Sequence, residues 1–184
     1  MDLSEIIRNR RSVMPVQYNT KPIAKEQINM LLEVANWAPT HKKTEPWRFK
    51  VLHGESQGKL GAFLAEKYKE TDPKFSAFKY NKLQENPKKA GAIIAICMQR
   101  DPNESIPEWE EVAAVAMAVQ NMWLTATDMG IGSYWSSPGL IKYMDEFFDL
   151  ELGETCLGFF YLGNFDGPIE ERIPGPISEK TVWI

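Results

Sequence analysis

The sequence predicts an α+β fold, in which helices and strands are intermixed along a chain of 184 residues. Several stretches repeat apolar residues at the spacing of an amphipathic helix, and others are short apolar runs typical of buried strands. Their order lacks the regular strand–helix–strand alternation of a doubly wound parallel sheet. The length suits one domain with a substantial core, so we expect residues 1–184 to form a single domain.

The first half of the chain is predicted to be mainly helical. Asp2-Leu-Ser-Glu5 has the spacing of a helix N-cap with a carboxylate that reaches back to it, which predicts a short helix at the start. A second helix covers 24–38, and Pro39 ends it. Alternating apolar and basic residues predict a strand over 47–52. The other predictions here are an irregular connection over 13–22, a helix over 57–69, and a mobile, mostly helical segment over 72–89 of the kind that covers pockets.

The second half is predicted to contain the most buried elements. Residues 90–98 form a continuous apolar run, as expected of a central strand covered on both faces. The helix over 109–129 is apolar nearly all round, so we expect it in the core or in an interface between subunits. The remaining predictions are a strand over 133–137, a helix that begins at Pro138, and a strand over 155–162. The proline-containing tail over 163–184 is expected to cover either a partner chain or its own domain.

Charge and cysteine content exclude several classes of protein. A net charge of −4 argues against nucleic acid or an anionic membrane surface as a partner, because such binders carry excess positive charge. The N-terminal residues lack the pattern of a signal peptide, and no apolar run is long enough to span a bilayer. Cys97 and Cys156 both lie in apolar runs, which predicts buried thiols in a reducing compartment and hence a cytoplasmic protein. With only two histidines, a structural metal site is not expected.

Two cationic segments are candidates for ligand binding. Ala38–Phe49 places His41, two lysines and an arginine in a turn held between prolines, which suits either an anionic planar ligand or a solvated basic loop. Arg10-Arg11-Ser12 offers two guanidiniums and a hydroxyl, which suit a phosphate. The alternative for the arginines is a helix end at which cations complement the helix dipole.

A third candidate segment follows the long apolar helix. Gly130-Ile-Gly132 terminates that helix, and the short strand after it ends in the hydroxyls of Ser136 and Ser137. These glycines follow a helix, whereas a dinucleotide-binding fingerprint opens one. If the protein uses a nicotinamide, it therefore does so without a Rossmann domain.

In their order and spacing, these three segments resemble the nitroreductase family of FMN-dependent oxidoreductases, and the chain is most similar to small bacterial NAD(P)H nitroreductases. The resemblance covers almost the whole chain. It implies a central, mostly antiparallel sheet flanked by helices. It also implies an intertwined homodimer with two FMN sites at the interface, each built from both subunits.

The resemblance implies three groups of FMN-binding residues. The group expected at the ribityl phosphate is Arg10, Arg11 and Ser12. The group expected to reach the flavin of the partner subunit is Trp37 and His41. The group expected to complete the site after the glycine turn is Trp135, Ser136 and Ser137.

The sequence also departs from the family pattern at the site. Val13 and Met14 stand where many relatives carry another arginine, and Ser136 stands where close relatives have a basic residue. Larger members place a C-terminal basic residue on the phosphate, and Arg172 is the nearby candidate for that role.

The function implied is an FMN-dependent NAD(P)H oxidoreductase with ping-pong kinetics. Hydride would pass from the nicotinamide to the flavin and on to a small electron-poor acceptor such as a nitroaromatic or quinone. No catalytic acid, base or nucleophile is predicted, because the cofactor performs the difficult step. The alternatives are a specialised dehalogenase or dehydrogenase on the same scaffold, and a flavin-binding homodimer without reductase activity.

Overall fold

The fold consists of one antiparallel sheet with helices on both of its faces. The computed structural model describes residues 2–184. The helices are α1 (Leu3–Asn9), α2 (Lys25–Ala35), α3 (Glu55–Thr71), α4 (Ala77–Lys89) and α5 (Glu108–Asp128). The strands are β1 (Trp47–Leu52), β2 (Ala92–Gln99), β3 (Gly132–Ser136) and β4 (Glu154–Gly163). Short 3-10 helices cover Pro15–Gln17, His41–Lys43, Gly139–Glu146 and Ile177–Lys180.

The sheet places its most apolar strands at the centre. Its strand order is β1-β2-β4-β3, and every neighbouring pair is antiparallel. All residues of β2 except its last are buried, which confirms the predicted central strand covered on both faces. Edge strand β1 follows the connection that carries Trp37 and His41, and edge strand β3 contains Trp135 and Ser136. The sheet therefore holds these candidates at opposite edges.

Each face of the sheet covers a separate part of the core. On one face, α2 and α5 pack over a cluster that includes Leu31, Ile94, Met122 and Phe160. On the other face, α3 and the 139–146 helix pack over a cluster that includes Leu64 and Phe159, and α4 packs against α3.

Helix α5 confirms the prediction of a long apolar helix. Its apolar residues lie on two different sides. One side is fully buried in the core through Ala114, Val115, Ala118 and Met122. The other side exposes apolar residues in the single chain, among them Met117. Within residues 2–184, no helix combines the length and apolarity that crossing a bilayer requires.

The segment after Pro138 forms a 3-10 helix over Gly139–Glu146. Three residues per turn place Ile141, Met144 and Phe147 on one side, where all three pack into the core.

Candidate functional site

The arginine segment lies at the start of edge strand β3. Helix α1 begins with the predicted capping box between Asp2 and Glu5 and ends at Asn9, after which the backbone is extended. The N–H of Val13 donates to the carbonyl of Ser133 at 3.0 Å. The indole N–H of Trp123, on α5, donates to the carbonyl of Arg11 at 3.1 Å. Both contacts fix residues 10–13 between the sheet edge and α5.

Arg10 stacks on an aromatic ring and lies beside two further guanidiniums. Its guanidinium carbon is 4.5 Å from the centroid of the Trp123 ring, a cation–π contact. Partial burial, followed by the nearby charges of Arg172 and Arg11, lowers the pKa of Arg10. The group nevertheless stays protonated, because guanidinium pKa values lie far above neutrality. In the described residues 2–184, none of the three arginines forms an ion pair with a carboxylate. The cluster therefore carries positive charge that an anionic ligand would neutralise.

The side chain of Arg11, unlike that of Arg10, mainly donates hydrogen bonds to backbone carbonyls. Its Nε donates to the carbonyl of Glu170 at 2.8 Å, and one Nη donates to the carbonyls of Arg8 and Arg10 at 2.5 and 2.9 Å. It thereby ties α1 to the segment that follows β4. A cavity of about 270 Å³ opens beside it and is lined in part by Ser12. The exposed hydroxyl of Ser12 thus lies next to the guanidiniums, as a phosphate-binding segment requires.

Trp135, Ser136 and Ser137 lie at the far end of the same edge strand. The indole of Trp135 packs against the core on the α5 side, and its N–H donates to the carbonyl of Leu157 at 3.4 Å. Gly158 makes this packing possible, because a Cβ there would lie 2.5 Å from Trp135 Nε1. Ser136 is partly buried and Ser137 is exposed. About 10 Å of extended strand separates these serines from the arginine segment.

Trp37 and His41 lie in the connection between α2 and β1. The Trp37 ring is 79% exposed, and its N–H donates to Glu33 at 3.3 Å. His41 Nδ1 lies 2.5 Å from Oε2 of Glu110, in the first turn of α5. Lys42 donates to the carbonyl of Ser105 at 2.9 Å, which links the same turn to the loop before α5.

The backbone of this turn is held in an unfavourable conformation. Lys42, Lys43 and Glu45 have positive φ angles of 50°, 56° and 43°. A non-glycine residue in the left-handed region costs about 1 kcal/mol. The hydroxyl of Thr40 stabilises the turn by accepting the N–H of Glu45 at 3.2 Å. Backbone strain that is held by surrounding contacts is concentrated at functional sites.

The structure places the predicted site residues in two separate groups. The first group, at the β3 edge, is Arg10, Arg11, Ser12, Trp135, Ser136 and Ser137. The second group, Trp37 and His41, lies near the start of β1, at the opposite edge of the sheet. Helix α5 touches both groups, with Glu110 at His41 and Trp123 at Arg10, and its rise of about 1.5 Å per residue places them about 20 Å apart.

Two contacting residues were not identified as site components from the sequence. Trp123 is a core residue, edge-on to Phe160 at 5.6 Å, and it also supports Arg10. Glu110, in the first turn of α5, contacts His41. No local pattern indicates either contact, because each joins segments far apart in the chain.

The exit of the turn is anchored in the core. Pro46 and Trp47 are buried, and the Trp47 N–H donates to Asn36 at 2.9 Å. Lys43 and Glu45 are exposed. The two cysteines are free and buried, as predicted.

Comparison with known proteins gives one consistent result. The model of the nitroreductase family matches residues 7–164. The chain is 30% identical over 165 residues to YdjA of Escherichia coli (strain K12), a protein provisionally named an NAD(P)H nitroreductase. That match covers 89% of this chain and 88% of YdjA.

Solved structures share the same fold. A nitroreductase-like family protein from Bacillus cereus superposes with a TM-score of 0.85 at 29% identity, covering 100% of this chain and 96% of its own. A provisionally named nitroreductase from Desulfovibrio desulfuricans, solved in complex with FMN, has a TM-score of 0.75 at 20% identity. That match covers 100% of this chain and 97% of the other, and at this identity it supports the fold alone.

Proposed function

Because the chain belongs to the nitroreductase family and is thus an oxidoreductase, we propose that it is an FMN-dependent NAD(P)H oxidoreductase acting on nitroaromatic, quinone or similar electron-poor acceptors. When bound, FMN supplies the hydride transfer between nicotinamide and acceptor. The protein supplies the binding groups, their orientation and the electrostatic environment. The proposal treats residues 1–184 as one domain, since both parts of the core share one sheet.

One observation carries the proposal: Arg11 and Arg172 lie near enough to Arg10 for their charges to lower its pKa, and none of the three guanidiniums forms a carboxylate ion pair among the described residues. A phosphate group would offset this repulsion, and the planar fork of arginine suits it. Ser12 adds a hydroxyl beside the cluster. The donors present therefore fit the phosphate end of FMN.

The remaining groups would hold the rest of the cofactor. Trp135, Ser136 and Ser137 lie along the strand that begins at the arginine segment, where hydroxyls and backbone N–H groups suit the ribityl chain and the ring edge. Trp37 and His41 lie about 20 Å away along α5. They would serve the flavin bound to the arginines of another subunit.

A homodimer is the second part of the proposal. Apolar side chains are exposed in the single chain on α2 and α5, including Met30 and Met117. The tail exposes Val182, Trp183 and Ile184 almost completely. Exposed apolar surface of this kind marks protein–protein interfaces. A second copy would cover it and bring Trp37 and His41 to the β3 edge.

Two further observations support the proposal without deciding the substrate. The relatives carry names that assign NAD(P)H nitroreductase activity provisionally, and one structure of the same fold binds FMN. Free, buried cysteines suit a reducing compartment, which agrees with a cytoplasmic location.

The purified protein tests the proposal directly. We expect a yellow protein, or one that becomes yellow on reconstitution with FMN. Its visible flavin absorption should bleach when NADH or NADPH is added without oxygen and return when a nitroaromatic or quinone is added. A colourless protein that cannot be reconstituted with FMN would overturn the cofactor assignment. Bound flavin that neither nicotinamide reduces would favour the flavin-binding homodimer without reductase activity.

A further inference from the structure

His41 and Glu110 form the shortest link between the strained turn and helix α5. His41 Nδ1 and Glu110 Oε2 are 2.5 Å apart, and their side chains are 56% and 24% exposed. Because a carboxylate oxygen accepts, the contact corresponds to the tautomer in which Nδ1–H donates. The other ring nitrogen, Nε2, lies on the opposite side of the imidazole and is therefore the one available to a ligand.

The acidic residues around Glu110 have different partners. Glu111 is fully buried and accepts from the guanidinium of Arg100 and from the backbone N–H of Asp101, the latter at 2.9 Å. Glu108 is exposed. Among these three carboxylates of the first turn of α5, only Glu110 contacts the turn that carries His41.

The contact with Glu110 restrains the orientation of the His41 ring within this strained turn. The backbone around Lys42 and Lys43 is in the left-handed region, so the turn needs outside contacts to keep its shape. One outside contact is the hydrogen bond from Lys42 to the carbonyl of Ser105, which restrains the backbone of the turn. The other outside contact is Glu110, whose carboxylate meets the His41 imidazole.

We propose that Glu110 is a positioning residue, which holds the His41 imidazole with Nε2 directed at the flavin site of the partner subunit. This inference rests on the proposed function. A carboxylate that accepts from one ring nitrogen fixes both the tautomer and the orientation of a histidine, so that the second nitrogen meets its ligand in one geometry.

The test compares Glu110→Gln and Glu110→Ala with Glu108→Gln, a matched control in the same helical turn. FMN dissociation constant and steady-state turnover are measured for each variant in the reconstituted protein. We expect Glu110→Ala to weaken FMN binding or turnover about tenfold, as loss of one hydrogen bond to a charged group does. Glu110→Gln should lose less FMN affinity or turnover than Glu110→Ala, because its amide oxygen can still accept the hydrogen bond. Glu108→Gln should match the unaltered protein.

Two readouts separate positioning from general stability. The double variant of His41→Ala and Glu110→Ala should be no worse than His41→Ala alone, because Glu110 acts through the ring. Nitrogen-15 spectra should show that Glu110→Ala changes the tautomer population of His41 and leaves His53, the second histidine, unchanged.

The outcomes distinguish this inference from the proposed function. If His41→Ala impairs the protein and Glu110→Ala does not, or if the two effects add, the positioning role is wrong and the proposed function stands. If His41→Ala is without effect, the positioning role is also wrong. A protein that binds no FMN overturns both.

Discussion

At the scale of single residues, the surroundings of Arg10 would suit an anionic ligand. Its side chain lies against the ring of Trp123, 4.5 Å from the centroid, while Arg11 and Arg172 add positive charge nearby. Stacking fixes the direction of the guanidinium and partial burial strengthens its field.

We predict that Arg10→Ala weakens FMN binding by about 10- to 100-fold. This factor corresponds to the free energy of a hydrogen bond to a charged group. Fluorescence titration of the apoprotein with FMN measures the effect. Arg8→Ala is the control, since Arg8 is an exposed arginine on the same segment. Equal affinities for the two variants would contradict a role for Arg10 at the phosphate.

Gly158 has a positive φ of 143° and no room for a side chain. A Cβ there would lie 2.5 Å from Trp135 Nε1 and 2.6 Å from the carbonyl oxygen of Ser136. We predict that Gly158→Ala lowers the free energy of unfolding by about 2 kcal/mol or more and displaces both site residues. Denaturant titration measures the first effect, and FMN titration the second.

The control for this change is Gly58→Ala. Gly58 lies in α3, where an added Cβ meets nothing within 4 Å. Alanine has a more favourable helix propensity than glycine by about 1 kcal/mol, so this variant should be more stable than the unaltered protein. Similar losses in both variants would show that Gly158 has no special role.

At the scale of elements, an ion pair joins β1 to a buried carboxylate on β4, across the intervening strand β2. Lys50 Nζ lies 2.8 Å from Glu154 Oε1, and the Glu154 side chain is only 2% exposed. Burial raises the pKa of Glu154, but the Lys50 ammonium and the backbone N–H of Glu151 outweigh it, so the pKa is lowered overall. A carboxylate with a lowered folded-state pKa stabilises the protein only while it is ionised.

The sign of the pH dependence follows from that shift. The contribution of Glu154 to the free energy of unfolding is fully present above the unfolded-state pKa of a glutamate, about 4.3. It is lost as the pH falls through the lower folded-state pKa. We predict that Glu154→Gln is less stable than the unaltered protein at pH 7 and loses less stability between pH 5 and pH 3. Urea titrations across this range measure both effects. Glu85→Gln, which alters an exposed carboxylate on α4, should retain the unaltered pH profile.

At the scale of the whole molecule, the exposed side of α5 is the surface that a second copy should cover. Met117 is a core-like residue left exposed in the single chain, on the same helix that contacts both groups of site residues. A charge placed there would be buried without a partner in the dimer, at a large cost.

We therefore predict that Met117→Glu raises the dimer dissociation constant by at least about tenfold and reduces FMN retention in parallel. Sedimentation equilibrium gives the first quantity and absorbance after gel filtration the second. Phe78→Glu is the control, because Phe78 is 79% exposed but lies on α4, in the layer on the opposite side of the sheet. A monomeric unaltered protein that retains FMN would contradict the two-subunit site.

Most elements could be predicted because their signals are local. Alternation over 47–52 predicted β1 with the bounds that the structure has, and the capping pattern at Asp2 predicted α1. The apolar run over 90–98 predicted a doubly covered strand because β2 has no face in water. The order of the three candidate segments, also a property of the chain alone, indicated the family.

The sequence by itself therefore determined the elements, the buried strands and the segments that carry the candidate site. Only the tertiary structure decided which side chains meet. His41 reaches Glu110 across 69 positions and Trp123 reaches Arg11 across 112. Such contacts depend on the order of strands and the packing of α5 across the sheet, which no local period encodes. The same packing separates Trp37 and His41 from the arginines by about 20 Å along α5.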